Sequence, residues 1–165
     1  MYNFAPAAED ERTVFGACRP RHTQRAQPDS SVDDWIEYMV DQDIERVCCL
    51  LDDTQLSEYR NLLGTYADVF GAERVSHAPI RDFSVVDRQT LHETILPFLD
   101  ESKSASERVV VHCSAGSGRT GHVLALWLAH DRGWSVEDAV TEVRRMGRRP
   151  LEAAVPVHHL DGEAV

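Results

Sequence analysis

A chain of 165 residues, 42% of them apolar, suits one soluble domain with a sizeable core. No apolar run approaches the ~18 residues of a membrane span, and Met1-Tyr2-Asn3-Phe4-Ala5-Pro6 lacks the basic and apolar regions of a signal peptide, so a cytoplasmic protein without a membrane partner is expected. The net charge of −11, with Lys103 the one lysine among seventeen basic residues, argues against a nucleic-acid partner and fits either a halophilic cytoplasm or an acidic protein from a GC-rich genome.

Residues 1–12 are polar and expected to be a flexible N-terminus. Residues 13–17 read as a first strand, and a Pro-bearing loop runs from Arg19 through Pro28. Ser30 or Ser31 is placed to cap a helix whose Val32, Trp35, Ile36, Met39 and Val40 share one face. Residues 46–51 are a continuous apolar strand, the pattern of a parallel sheet covered on both sides. Cys18, Cys48, Cys49 and Cys113 have neither disulfide nor zinc spacing and read as thiols. Cys48 and Cys49 either pack or, if one lies near Cys113, form a reversible disulfide that protects it from over-oxidation.

A helical stretch over residues 56–70 is expected to break at Gly64, and residues 74–80 to form a short strand. Asp87 reads as the N-cap of a helix with Leu91, Ile95, Phe98 and Leu99 inward, bent or ended by Pro97. A polar linker follows over residues 101–107.

Residues 108–121, Arg-Val-Val-Val-His-Cys-Ser-Ala-Gly-Ser-Gly-Arg-Thr-Gly, carry the chemistry. Val109 to Val111 make a buried strand, the glycines break it into a loop that starts at Cys113 and closes on Arg119, and from Thr120 the chain reads as a largely buried helix. A loop so placed turns backbone N–H groups toward the positive end of a helix dipole, which makes a site for a tetrahedral anion. Cysteine attacks only as thiolate, and these N–H groups, the hydroxyls of Ser114, Ser117 or Thr120 and the Arg119 guanidinium would favour that form, with the His112 ring fixing the loop. Arg119 offers two parallel donors to phosphoryl oxygens, where lysine would be a point charge.

Beyond the helix, Gly133 ends the turn and Ser135 with Asp138 suggests a capping box. Val136, Ala139, Val140, Val143 and Met146 then form an inward stripe. Arg144, Arg145, Arg148 and Arg149 either complement the helix dipole or border an anion-binding cleft. His158 and His159 beside Asp161 lack metal-site spacing, and neither metal nor other cofactor is expected.

His112, Cys113, Gly116, Gly118, Arg119, Thr120 and Gly121 resemble the His-Cys-(five residues)-Arg-Ser/Thr loop of the cysteine-dependent protein tyrosine phosphatases, of the small atypical dual-specificity type. The resemblance covers roughly residues 13–152, leaving 153–165 as a C-terminal tail. It implies a three-layer α/β fold with a mostly parallel central sheet flanked by helices. It implies Cys113 as nucleophile, Ser114, Ala115, Gly116, Ser117, Gly118 and Arg119 as the phosphate cradle, and Thr120 as donor to the departing thiolate. It also needs a carboxylic acid on a mobile loop. Asp82, 31 residues before Cys113, stands in Pro-Ile-Arg-Asp-Phe, similar to the family's acid loop, and is preferred to Asp87, which has a capping duty. The family often has Pro just before the acid. Here Arg81 stands there, either as a solvated side chain or as added positive charge beside the phosphate.

The substrate implied is a phosphorylated protein, phosphotyrosine and also phosphoserine or phosphothreonine, since nothing resembles the Lys-Asn-Arg-Tyr loop that deepens the pocket of larger relatives. The loop also lacks the lysines of related phosphoinositide phosphatases. A small phosphomonoester metabolite, a phosphoprotein-binding module without turnover, and sulfur transfer or arsenate reduction are the alternatives. In every case an anion must approach a negative protein, so the cleft needs its own positive field.

Overall fold

The computed structural model describes residues 1–21 and 30–150. Its five strands are β1 (Ala5–Pro6), β2 (Val14–Ala17), β3 (Ile44–Cys49), β4 (Val75–His77) and β5 (Arg108–His112), ordered β1-β2-β5-β3-β4. All neighbours run parallel except β1, which pairs antiparallel with β2. Alternation along the central strand sends Val109 and Val111 to one face and Val110 to the other.

Helices cover both faces. On one lie α1 (Ser30–Asp41), the single turn α2 (Asp53–Leu56) and α3 (Leu62–Phe70), packing Trp35, Met39 and Tyr66 against Val47 and Val110. On the other lie α4 (Arg88–Thr90), a π-helical turn at Leu91–Ile95, α5 (Leu96–Ser104), α6 (Gly118–Arg132) and α7 (Val136–Arg145). Every residue of α6 from Arg119 to Leu128 is buried, because that helix lies between the sheet and its neighbours. The three-layer, mostly parallel α/β architecture expected from the sequence is the one observed.

The structure departs from the sequence reading at several places, two of them being the strand expected over 74–80, which is only Val75–His77, and Val40 of α1, which is exposed rather than inward. The break in the 56–70 helix falls at residues 57–61, where Asn61 caps α3 by accepting from Gly64 N–H at 3.1 Å. Pro97 does not end its helix: it stands in the first turn of α5, directly after the π-helical turn, so its missing N–H falls where the ladder is already shifted, and residues 101–104 continue as helix rather than linker. At the N-terminus, expected to be flexible, Ala5 and Pro6 join the sheet and Ala7 and Ala8 are buried. Glu11 secures this segment, taking the N–H groups of Thr13 and Val14 and pairing with Arg132 at 3.0 Å. The expected tail, with His158, His159 and Asp161, lies outside the described residues.

Candidate active site

The loop of residues 113–118 joins the C-terminal end of β5 to α6, so it opens at the carboxyl edge of the sheet, the side where parallel α/β sheets place ligands. Its carbonyls are tied away from its centre. Ser114 C=O accepts from Arg19 N–H at 3.0 Å, and Ala115 and Gly116 C=O accept from Asn3 Nδ2 at 3.3 and 3.2 Å. In a trans peptide the next N–H points opposite the carbonyl, so the N–H groups of Ala115, Gly116 and Ser117 turn inward. Gly116 has φ +78°, and a Cβ there would come within 2.6 Å of the Ala17 and Cys18 backbone, so only glycine fits. The Ser117 hydroxyl accepts from Arg149 N–H at 3.0 Å, which pins the start of α6 to the segment after α7.

Three arginines ring this loop while being almost wholly buried: Arg19 (1% exposed), Arg119 (3%) and Arg148 (1%). They are the local positive field that a protein of net charge −11 needs to receive an anion. Arg19 forms two 3.2 Å bonds to Glu58. Arg119 donates through Nη1 to Gln55 Oε1 and Ile80 C=O, both at 2.9 Å, and its Nη2 pairs with Asp82 at 3.3 Å. The structure therefore brings Asp82 to Arg119, 37 residues on in sequence and six beyond Cys113. Asp87, by contrast, caps α4, accepting from Thr90 N–H at 2.7 Å.

Asp82 is half exposed on the segment after β4, and Phe83 beside it is 75% exposed with φ +60°. Arg81 is exposed on the other side of the acid. The segment is anchored behind by Val86 N–H donating to His122 Nε2 of α6 at 3.2 Å. The Thr120 side-chain oxygen is buried without a hydrogen-bond partner among the described residues, so the fold does not commit it elsewhere.

His112 is buried against Trp35 and Tyr66. Its Nδ1 lies 3.2 Å from Cys113 C=O, which only accepts, so Nδ1 carries the proton and Nε2 accepts from the Tyr66 hydroxyl at 2.9 Å. Burial pushes its pKa down to about 4, partly opposed by the Cys113 carbonyl. Between that value and the unfolded ~6.5 only the unfolded chain takes up the proton, so stability falls as pH drops through this window, by roughly 3 kcal/mol in all. Chemical denaturation between pH 4 and 7 should show that slope, and His112→Asn should lose about one proton's worth of it.

Four thiols are free. Burial raises Cys18 to about 11 and Cys49 to about 12, and pushes Cys48 up as well, so all three are held protonated. Of the terminal arginines, Arg145 pairs with Glu142 at 2.7 Å and Glu9 at 3.4 Å, and Arg148 is buried against Gly16, Thr120 and Asn3 beside the loop. Sequence reasoning missed Asn3, Arg19, Gln55 and His122 as supports of the site. Gln55 had a signal, the Asp52-x-x-Gln55 capping box, whose glutamine also receives Arg119.

Comparison with known proteins places these features. The Tc-R-P family, described as the DSP-PTPase phosphatase of polymorphic toxin systems, matches residues 16–132, from β2 through α6. Dual specificity protein phosphatase Mpk3 of Drosophila melanogaster is 39% identical over 66 residues, a match spanning 40% of this chain and 16% of that protein. Among solved structures, Tk-PTP in its active form superposes with a TM-score of 0.71 at 28% identity, covering 96% of each chain. Kinase associated phosphatase, with its catalytic cysteine changed to serine, gives a TM-score of 0.73 at 22% identity over 91% of this chain and 83% of that one, a likeness of fold. Among the described residues no helix is long and apolar enough to cross a membrane.

Proposed function

The chain belongs to the DSP-PTPase phosphatase family within the cysteine-dependent protein tyrosine phosphatases, and we propose that it hydrolyses phosphomonoesters through a cysteinyl-phosphate intermediate, with phosphotyrosine and phosphoserine or phosphothreonine proteins as substrates. The observation that supports this reading is the pairing of Asp82 with Arg119 at 3.3 Å on a loop that starts at Cys113 and whose carbonyls at 114–116 accept from Arg19 and Asn3.

A phosphate entering the loop takes the inward N–H groups of residues 115–117 and replaces Asp82 as partner of Arg119 Nη2, leaving the carboxyl group above the ester oxygen. Cys113 Sγ attacks phosphorus in line, the P–O bond breaks, and Asp82 gives its proton to the departing alcohol or phenol. Water then attacks the phosphocysteine, Asp82 takes its proton, and the S–P bond breaks to return the thiolate, with Thr120 as hydrogen donor. The cradle is Ser114, Ala115, Gly116, Ser117, Gly118 and Arg119. Ser117 contributes through its N–H, since its hydroxyl already receives Arg149.

The exposed Arg81-Asp82-Phe83 mouth supports a shallow cleft that admits short serine and threonine side chains as well as tyrosine. Phosphate release should be assayed with chelator present, using an aryl phosphate and peptides bearing phosphotyrosine, phosphoserine or phosphothreonine, in low and molar salt. Release from all three peptides is expected. Release from phosphotyrosine alone would restrict the class, and tight phosphopeptide binding without release would make the chain a binding module.

A further inference from the structure

Arg148 differs from the other two arginines around the loop. Arg19 has Glu58 and Arg119 has Asp82, but among the described residues Arg148 has no carboxylate. Among the described residues its one side-chain hydrogen bond is from Nη2 to Asn3 C=O at 2.7 Å, and its Nε and Nη1 are buried without a partner. A buried cation left this way is costly, and a fold keeps one where an anion offsets it.

The surroundings are cut to admit it. A Cβ on Gly16 would lie 2.7 Å from Arg148 Nη2, 2.8 Å from its Nε and 2.8 Å from Thr120 Cγ2, so the guanidinium lies flat on the bare backbone of β2 beside Thr120. A Cβ on Gly121 would lie 3.3 Å from Arg148 Cβ and 3.2 Å from the Pro150 backbone, so the second glycine lets this segment close on α6. The residue that receives Arg148, Asn3, is the one whose side chain holds Ala115 and Gly116 C=O. Asn3 thus links Arg148 to the carbonyls of the loop.

We propose that Arg148 is a positioning residue whose charge, unpaired among the described residues, seated on Gly16 and held by Asn3, stabilises the Cys113 thiolate from within the protein. Burial pulls the Arg148 pKa down to about 10 and the Cys113 charge pulls it back up, so each group lies within the other's field. This rests on Cys113 being the reactive thiol of the proposed phosphatase, but its test does not need turnover.

The rate of Cys113 alkylation by iodoacetamide, followed by mass spectrometry from pH 5 to 9, reads the thiolate directly, with Cys113→Ser as the control for site. In Arg148→Met the rate at pH 6 should fall about tenfold and the profile move about one unit higher, and Arg148→Lys should restore most of the difference. Gly16→Ala, which displaces the guanidinium without removing it, should move the profile in the same direction and serves if Arg148→Met does not fold. Overlapping profiles for folded Arg148→Met and wild type, or a Lys variant no better than Met, would overturn the proposal; so would an unmoved Gly16→Ala profile if Met is unfolded. A shifted profile in a protein that hydrolyses no phosphoester would leave this inference standing and remove the phosphatase reading instead.

Discussion

Cys113→Ser should lower the hydrolysis of every phosphoester by ~10⁴-fold or more while leaving the affinity for tungstate or phosphate within a few-fold. A serine hydroxyl needs a base to attack, and in the proposed step Asp82 stands protonated on the leaving-group side. His112 is the adjacent imidazole, but its Nδ1–H is committed to Cys113 C=O and its Nε2 to the Tyr66 hydroxyl, so it cannot take a proton from a serine at position 113. The proposed anion cradle combines the Arg119 guanidinium with backbone N–H groups of a loop held by Asn3 and by Arg19 N–H, and the exchange of sulfur for oxygen touches none of these. Binding and chemistry should therefore separate, read by calorimetry for the ligand and by phosphate release for turnover. Measurable hydrolysis by the Ser variant would remove Cys113 as nucleophile.

Asp82→Asn should divide substrates by their leaving group. Phosphoserine peptides release a basic alkoxide that must be protonated as the P–O bond breaks, and they should lose ~10²- to 10⁴-fold in kcat/KM. An activated aryl phosphate, whose phenolate leaves without help, should lose less than ~10-fold. The same substitution removes the charge that occupies Arg119 Nη2 at 3.3 Å, so phosphate should bind the variant at least as tightly as wild type. Equal losses on both substrates would mean that Asp82 shapes its segment and moves no proton.

The parts legible in the sequence are those whose determinants are local. A run of three valines, a glycine-broken loop and an apolar helix within residues 108–128 identify the core strand, the cradle and the helix behind it. The caps Asp87 and Ser135 are equally local, each accepting from an N–H three residues on. Asp82 was legible only through its resemblance to a family loop, since nothing in its own neighbourhood shows that it meets Arg119. The order of residues 1–12 and the burial of Arg148 escape the sequence for a common reason: their partners are remote. Glu11 needs Arg132 to be more than a polar terminal residue, and Arg148 looks like one of a set of surface arginines until Asn3 and Gly16 are brought to it. Gly16 inside a strand was the one local hint, because glycine there signals that something approaches the backbone closely.

Asn3 and Gly116 are separated by 113 positions, and Asn3 and Arg148 by 145. Contacts between such distant points carry the largest loop-closure cost and form only after the strands between them have paired. During synthesis Cys113 leaves the ribosome before α7 and Arg148 do, so the nascent chain holds its proposed nucleophile without the cationic backing proposed for the finished fold. Acquisition of reactivity is thereby tied to the completion of folding.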